Sequence, residues 1–352
     1  MSSKTGPLVL VTGISGFFAQ FVVDSLLASP EQYRIRGTLR SLAKRDAVLA
    51  RLPEQERTRV EFVEVKATES SDLSEALRGV DLVAHTASPY QLDVHDVEAE
   101  LLRPALEGTL NVLRYAKQQP SVKRIAITSS FAAVTDFNKG GPNRPGFTYT
   151  ERDWNPEGWE DAVKFGGAGA RAYSASKKIA DKAAWDFVEQ EKPQFVVSTF
   201  NPPMIYGPPI QPGIKDVSSL NTSAMAIYRL ISRLDSLPDD RLPLFCHARD
   251  VADAHVQWLA YPREPVPLHR YLLCGGAFYW KMACEHISQT RPELADRLPK
   301  GWKDAQDKDP ETALAKLDTT PAQQELGIKF RDWKTTLDET LDGLLALEKG
   351  WK

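Results

Sequence analysis

Tyr173 and Lys177 stand four positions apart in Tyr173-Ser174-Ala175-Ser176-Lys177. On a helix that spacing puts a phenol and an ammonium on one face. A phenol, with a pKa of about 10, is a poor proton donor or base near neutrality unless a neighbouring cation lowers that value. Lys177 is placed to supply the charge and also to grip a cofactor ribose. Taken alone, Tyr-x-x-x-Lys reads equally as a surface lysine beside a packed tyrosine. Its order in the chain changes the weighing: a glycine turn comes first, then an apolar run ending in Thr128-Ser129-Ser130, then the pair. Ser130 would sit at a strand end, where ligands meet an open α/β sheet, and its hydroxyl can donate to a substrate oxygen. A serine there is also ordinary turn chemistry.

The glycine turn is Thr12-Gly13-Ile14-Ser15-Gly16-Phe17-Phe18-Ala19, directly after the apolar run Leu8–Val11. Gly13 suits the tight turn, Gly16 lets backbone approach a pyrophosphate, and Ala19 allows close helix–strand packing. The phosphates would rest on the helix start, against Ser15, Gly16, Phe17 and Phe18. In NAD-binding units an acid about 20 positions on takes the ribose 2′-hydroxyl, whereas an arginine suits a 2′-phosphate. Here the second strand runs out into Arg40-Ser41, with Lys44 a turn later and no acid between Tyr33 and Arg45. A solvated helix start explains the two cations but not the missing acid. The pattern favours NADP(H), with Arg40 and Lys44 as its 2′-phosphate clamp.

These residues need a frame to hold them. Short apolar runs alternate with amphipathic segments: strands at Leu8–Val11, Tyr33–Leu39, Val60–Val65, Leu82–Thr86 and Val122–Thr128, helices at Phe17–Ala28, Leu42–Leu52 and Leu73–Leu77. A longer helix spans Val94 to Lys117, kinked or starting late because of Pro104. Such alternation predicts right-handed βαβ units and a parallel sheet covered on both faces. Residues 138–169 read as a surface excursion rich in Gly and Pro, followed by a helix from Tyr173 to Glu191 and a strand at Phe195–Phe200. Beyond a proline-rich loop lie a strand at Tyr271–Cys274 and a terminal helix at Trp333–Leu347. The expected fold is α/β: a doubly wound parallel Rossmann sheet with a smaller mixed α/β C-terminal substrate lobe. Residues 1–201 would bind the cofactor, with 244–274 returning to them, and 202–243 with 275–352 would form the lobe.

Composition narrows the partners. With 44 Lys+Arg against 47 Asp+Glu, the net charge of −3 lacks the basic excess of a nucleic-acid binder or a polybasic membrane anchor. No stretch approaches the roughly 18 apolar residues of a membrane span. Three cysteines, Cys246, Cys274 and Cys284, make no disulfide framework and no recognised zinc spacing, and His247 and His255 complete none. A cytoplasmic protein without metal is expected.

The chain resembles the extended short-chain dehydrogenase/reductases. The resemblance rests on TGISGFFAQ, TLRSLAK, HTASP (85–89), GTLNVLRYAK (108–117), ITSS, YSASKK, NPPMIYGP (201–208) and RDVADAH (249–255), in family order. It is most similar to the branch of fungal NADPH-dependent carbonyl (methylglyoxal-type) reductases and plant dihydroflavonol and cinnamoyl-CoA reductases. The resemblance implies that Ser130 orients a carbonyl oxygen, Tyr173 donates the proton, and Lys177 binds the ribose and tunes the phenol. It further implies that Thr86, Ala87 and Ser88 lie near the cofactor ribose, that Thr128 ends a cofactor-binding strand, and that Asn201 and Pro202 flank the nicotinamide. The implied reaction is NADPH-dependent reduction of an aldehyde or ketone to an alcohol, by a monomer or homodimer. One departure is Lys66, where the family usually places an Asp that holds the adenine amine.

Substrate contacts are read at Tyr90, Phe131, Met204 and Tyr206, each of which reads equally as ordinary core. Asn111 suits either a relay water or, more simply, a solvent-facing helix position. Two other functions share these motifs: a nucleotide-sugar epimerase or dehydratase, against which Arg40 counts, and a non-catalytic NADP(H) sensor, against which the intact Tyr-x-x-x-Lys counts.

Overall fold

Alternate side chains of the first strand divide between two cores. Val9 and Val11 pack in one apolar cluster, Leu8 and Leu10 in another, and all four are buried. A strand whose two faces are both apolar must lie inside a sheet covered on both sides. The computed structural model describes residues 6–88, 93–167, 170–260 and 268–351, and it contains such a sheet.

The first half runs β1 (Leu8–Val11), α1 (Phe17–Ala28), β2 (Arg34–Leu39), α2 (Arg45–Arg51), β3 (Val60–Glu64), α3 (Ser74–Leu77), β4 (Leu82–His85), α4 (Arg103–Lys117) and β5 (Arg124–Thr128). It continues with β6 (Thr148–Tyr149), α5 (Trp159–Phe165), α6 (Ala170–Glu191), β7 (Val196–Asn201) and β8 (Met204–Tyr206). The rest comprises α7 (Thr222–Arg229), β9 (Leu244–His247), α8 (Ala248–Leu259), β10 (Leu268–Leu272), β11 (Gly276–Ala277), α9 (Trp280–Thr290), α10 (Pro310–Ala313), β12 (Lys316–Leu317), α11 (Thr320–Leu326) and α12 (Trp333–Glu348). Seven strands form one parallel sheet in the order β10-β7-β5-β4-β1-β2-β3. The chain reverses direction across the sheet between β1 and β4, and the crevice outside their carboxyl ends is where such sheets bind ligands. α1 and α8 cover one face, and α4 and α6 the other.

Several elements differ from their expected bounds. The long helix is α-helical only from Arg103, and Pro104 lies in its first turn, where a missing N–H removes no bond. A π-helical turn, Glu98–Leu102, leads into it. The excursion 138–169 carries α5 and the short β6, which pairs with β12. The strand expected at Tyr271–Cys274 is shifted to Leu268–Leu272, so Cys274 lies beyond it. Within 244–274, α8 and β10 join the large sheet's layers, while β9 sits with β8 and β11 in a separate three-stranded sheet. A core around Tyr206, Ile227, Phe245, Phe278 and Leu341 binds that sheet to α7, α9 and α12. Among the described residues no helix is long and apolar enough to cross a membrane, and no group of three or more His, Cys, Asp or Glu could hold a metal.

Candidate active site

β1 ends at the glycine turn, whose backbone is tied to the neighbouring strands. Gly13 N–H donates to Thr38 Oγ1 at 2.8 Å, and Gly16 N–H to Gly13 O at 2.8 Å. Gly13 has φ +66, in the left-handed region, and a Cβ there would lie 3.1 Å from Ala87 Cβ. Both facts call for glycine. Gly16, exposed, is the N-cap of α1 and has no side chain to cap the helix, leaving its first amides facing outward beside half-buried Phe17 and Phe18. Ser15 is also half-buried.

Thr12 locks the glycine turn to the loop after β4. Its Oγ1 accepts from Thr86 N–H and from Ala87 N–H, both at 3.0 Å, and Thr86 Oγ1 donates to Thr12 O at 2.5 Å. Having accepted twice, the Thr12 hydroxyl donates its own proton to His85 Nδ1 at 2.9 Å. His85 is buried, and burial followed by the charge of Lys177 pushes its pKa down to about 4, so it is neutral and able to accept. Thr12 is a positioning residue that motif reasoning passed over as part of the turn.

Lys177 is 7% exposed and donates to Ser88 Oγ at 2.5 Å. Its ammonium lies 5.4 Å from the ring centre of Tyr173, which is half-buried one helical turn earlier. Desolvation lowers the Lys177 pKa to about 8, opposed by the carboxylate of Asp181. α6 packs against the short turn Phe131–Ala133, whose N-cap is half-buried Ser130. The two adjacent serines have opposite fates. Ser129 Oγ points inward and donates to Asp181 Oδ2 at 2.7 Å, whereas Ser130 Oγ accepts only from Ala132 N–H, at 3.1 Å, among the described residues.

Asn201 is placed beneath this turn, its side chain fully buried. Its amide donates to Ser129 Oγ at 3.1 Å, Ser130 O at 3.0 Å and Asp181 Oδ2 at 2.8 Å. The next residue, Pro202, accepts from Phe131 N–H at 2.8 Å. Thr128 faces the other side of the sheet. His255 Nδ1–H donates to Val251 O, which leaves Nε2 to accept from the Thr128 hydroxyl at 2.9 Å. Asn201 and Thr128 thus spend their polar groups inside the protein rather than toward the crevice.

Arg40 and Lys44 are exposed past the end of β2, with no ion-pair partner among the described residues. Val65 N–H donates to Leu39 O at 2.8 Å, so Arg40 and exposed Lys66 leave the two strands side by side. Asn111 does not simply face solvent. Half-buried, it donates to Thr68 O at 2.8 Å and Ser71 O at 2.9 Å, anchoring the loop that carries Lys66. Of the substrate positions, Phe131 is 1% exposed, edge-on to Tyr149 at 5.2 Å, and Tyr206 is 3% exposed in the lobe core. The structure gives these two the core role. Met204 is half-buried against that core, and Tyr90 lies outside the described residues.

A family model described as the NAD dependent epimerase/dehydratase family matches residues 9–274. The chain is similar to a putative NADPH-dependent methylglyoxal reductase of Candida albicans, 38% identical over 98% of this chain and 100% of that one. It is 34% identical to a ketoreductase of Aspergillus niger, over 96% and 97% of the two chains. Among solved structures, yeast methylglyoxal/isovaleraldehyde reductase complexed with NADPH superposes with a TM-score of 0.81 at 31% identity, covering 97% of this chain and 99% of that one. With this fold, this turn and this order of side chains, the chain belongs to the NAD-dependent epimerase/dehydratase family, the extended short-chain dehydrogenase/reductases.

Proposed function

We propose that the protein reduces an aldehyde or ketone carbonyl to the alcohol with NADPH, Tyr173 giving the proton. The observation that carries this reading is the packing of α6, with its half-buried phenol and buried ammonium one turn on, against the turn capped by Ser130, beside a loop fitted to a glycine turn. Relatives along the whole chain that are named as NADPH-dependent reductases support it.

The residues present fit the cofactor. Gly13 and Gly16 leave a cradle that side chains would fill, and α1 offers outward amides for a pyrophosphate. Exposed Arg40 and Lys44 suit a 2′-phosphate, which an acid at that strand end would repel. When bound, NADPH supplies the hydride.

The chain supplies position and charge. Ser130 Oγ donates to the carbonyl oxygen and aligns it with the phenol. Tyr173 Oη–H protonates that oxygen as it becomes an alkoxide, and the Lys177 ammonium stabilises the phenolate left behind. Lys177, which donates to Ser88 Oγ, is the residue that would hold the ribose hydroxyls. Residues 1–201 and 244–274 form the cofactor-binding part in this reading, and 202–243 with 275–352 the lobe that selects the carbonyl. The enzyme works in the cytoplasm, as monomer or homodimer.

Removing one hydroxyl tests the reading. Tyr173→Phe is expected to lower kcat by about 10²–10⁴-fold, the usual worth of a positioned acid, while NADPH titration by fluorescence stays near wild type. Undiminished NADPH oxidation by that variant, with an aldehyde and α-diketone panel that the wild type reduces, would overturn it.

A further inference from the structure

Beneath the Tyr173–Lys177 face lies a buried charge that the proposed reaction does not use. Asp181 is one turn beyond Lys177 on α6 and is 2% exposed. Three donors converge on its Oδ2: Ser129 Oγ at 2.7 Å, Asn201 Nδ2 at 2.8 Å and Arg270 Nη2 at 3.4 Å. Arg270, from β10, is itself 1% exposed. Its Nη1 donates to Glu151 O at 2.9 Å and Asp153 O at 2.7 Å, and its guanidinium lies 3.6 Å over the ring of Trp154. A buried carboxylate of this kind persists only when paired and hydrogen-bonded, and here two of the three partners lead back to the site. Ser129 adjoins Ser130, and Asn201 also grips Ser130 O.

We infer that Asp181 is a positioning residue of this site: through Ser129 and Asn201 it fixes the turn that presents Ser130, and it is the negative charge that Lys177 faces from within its own helix. The inference rests on the role proposed for Lys177. The other groups facing that ammonium are His85 from β4, Ser88 from the loop after it, and Tyr173. His85 is held neutral, so Asp181 is the anion acting on Lys177. Arg270 anchors Asp181 from the opposite side.

Charge and hydrogen bonding can be separated here. In Asp181→Asn the amide oxygen accepts the same three donors, and the NH2 takes the side where Oδ1 has no partner among the described residues. The three hydrogen bonds to Oδ2 are kept while the charge is lost. Without it Lys177 gives up its proton at lower pH, so the alkaline limb of kcat/KM against pH moves acidward by about one unit. Asp181→Glu is expected to restore the wild-type limb.

A purely structural Asp181 would lower the thermal midpoint and leave the limb in place, and that result overturns the inference. If the lone Arg270 charge prevents Asp181→Asn from folding, the double variant Asp181→Asn/Arg270→Gln removes both charges while keeping polar groups. Its limb must still move acidward; an unmoved limb in that variant also overturns the inference. Lys177→Met separates the two levels of the reading. Wild-type activity and an intact limb in Lys177→Met would remove the role of Lys177 itself. Loss of activity there, with an unmoved limb in Asp181→Asn, would remove only the role of Asp181.

Discussion

Two groups of charge flank the same crevice and are built in opposite ways. Past β2 and β3, Arg40, Lys44 and Lys66 are exposed on loops, without ion-pair partners among the described residues. Under β5, β7 and β10, Arg270 and Asp181 are withdrawn from water, with an aromatic ring and two backbone carbonyls against the arginine. Exposed cations contribute little to folding because water and salt already screen them. In the proposed reading their value appears when a cofactor phosphate arrives. The buried pair is the reverse: each charge depends on the other, and the fold depends on both. Arginine therefore does two unrelated jobs in one site, and burial decides which.

The sharpest way to break this contrast is to remove one buried partner. Arg270→Ala leaves Asp181 without its counter-ion and Trp154 without its stacked cation, an effect of about 3–5 kcal/mol on stability. Urea unfolding should show the midpoint falling steeply, and a midpoint near wild type would mean that the pair is not holding the fold. Arg40→Ala is expected to leave the same midpoint almost unmoved, within about 0.5 kcal/mol.

Lys177 stands between the two extremes, buried yet charged. Its pKa, lowered to about 8 by desolvation, means that the ammonium persists below that pH and is lost above it. Activity that needs the cation should therefore fall as pH rises through about 8, and kcat/KM, which reports the free enzyme, is the parameter to follow. A kcat/KM that stays level well above that pH would separate turnover from the lysine's charge.

The legible parts of the molecule were those with local causes. Short apolar runs and Gly–Pro punctuation marked β1 through β5 and α1 to within a few residues, because each element carries its own signal. The family resemblance singled out Ser130 rather than Ser129; Ser129 Oγ donates inward to Asp181, whereas Ser130 Oγ accepts from Ala132 N–H. Residues whose role comes from distant partners stayed hidden. Ser129, Asn201 and Arg270 meet Asp181 from three separate elements, and Arg270 lies 89 residues from it in sequence, outside every motif. Asp181 did have a signal: four positions after Lys177, it continues the helix face of Tyr173. Phe131 and Tyr206 misled for the opposite reason. Each adjoins a site motif in sequence, but Phe131 in its short turn and Tyr206 at the end of β8 are buried in apolar clusters.

At the exposed end, Arg40→Ala is expected to weaken NADPH binding by about tenfold and leave NADH binding unchanged, since one charge-assisted contact to a phosphate is worth roughly 1.5–3 kcal/mol before screening. The weakening should shrink as salt rises. Equal losses for both cofactors would mean that Arg40 touches something they share.

Lys66 gives the smallest and most discriminating test. Asn111 clamps its loop through Thr68 O and Ser71 O, and β3 delivers it beside Arg40, so its position is built although its side chain is free in solvent. Lys66→Asp reverses the charge and also restores the acid that the family usually places there to hold adenine. Those two consequences act differently on the two cofactors. Repulsion of a 2′-phosphate affects NADPH alone, while an adenine contact helps both. The expected result is a few-fold rise in the NADPH Kd, as for an exposed charge at 0.2–1 kcal/mol, together with an NADH Kd that falls or holds. If both Kd values fall together, adenine recognition outweighs charge at this corner, and Arg40 with Lys44 is sufficient for the phosphate. If neither moves, Lys66 points away from the nucleotide and the contrast narrows to two cations.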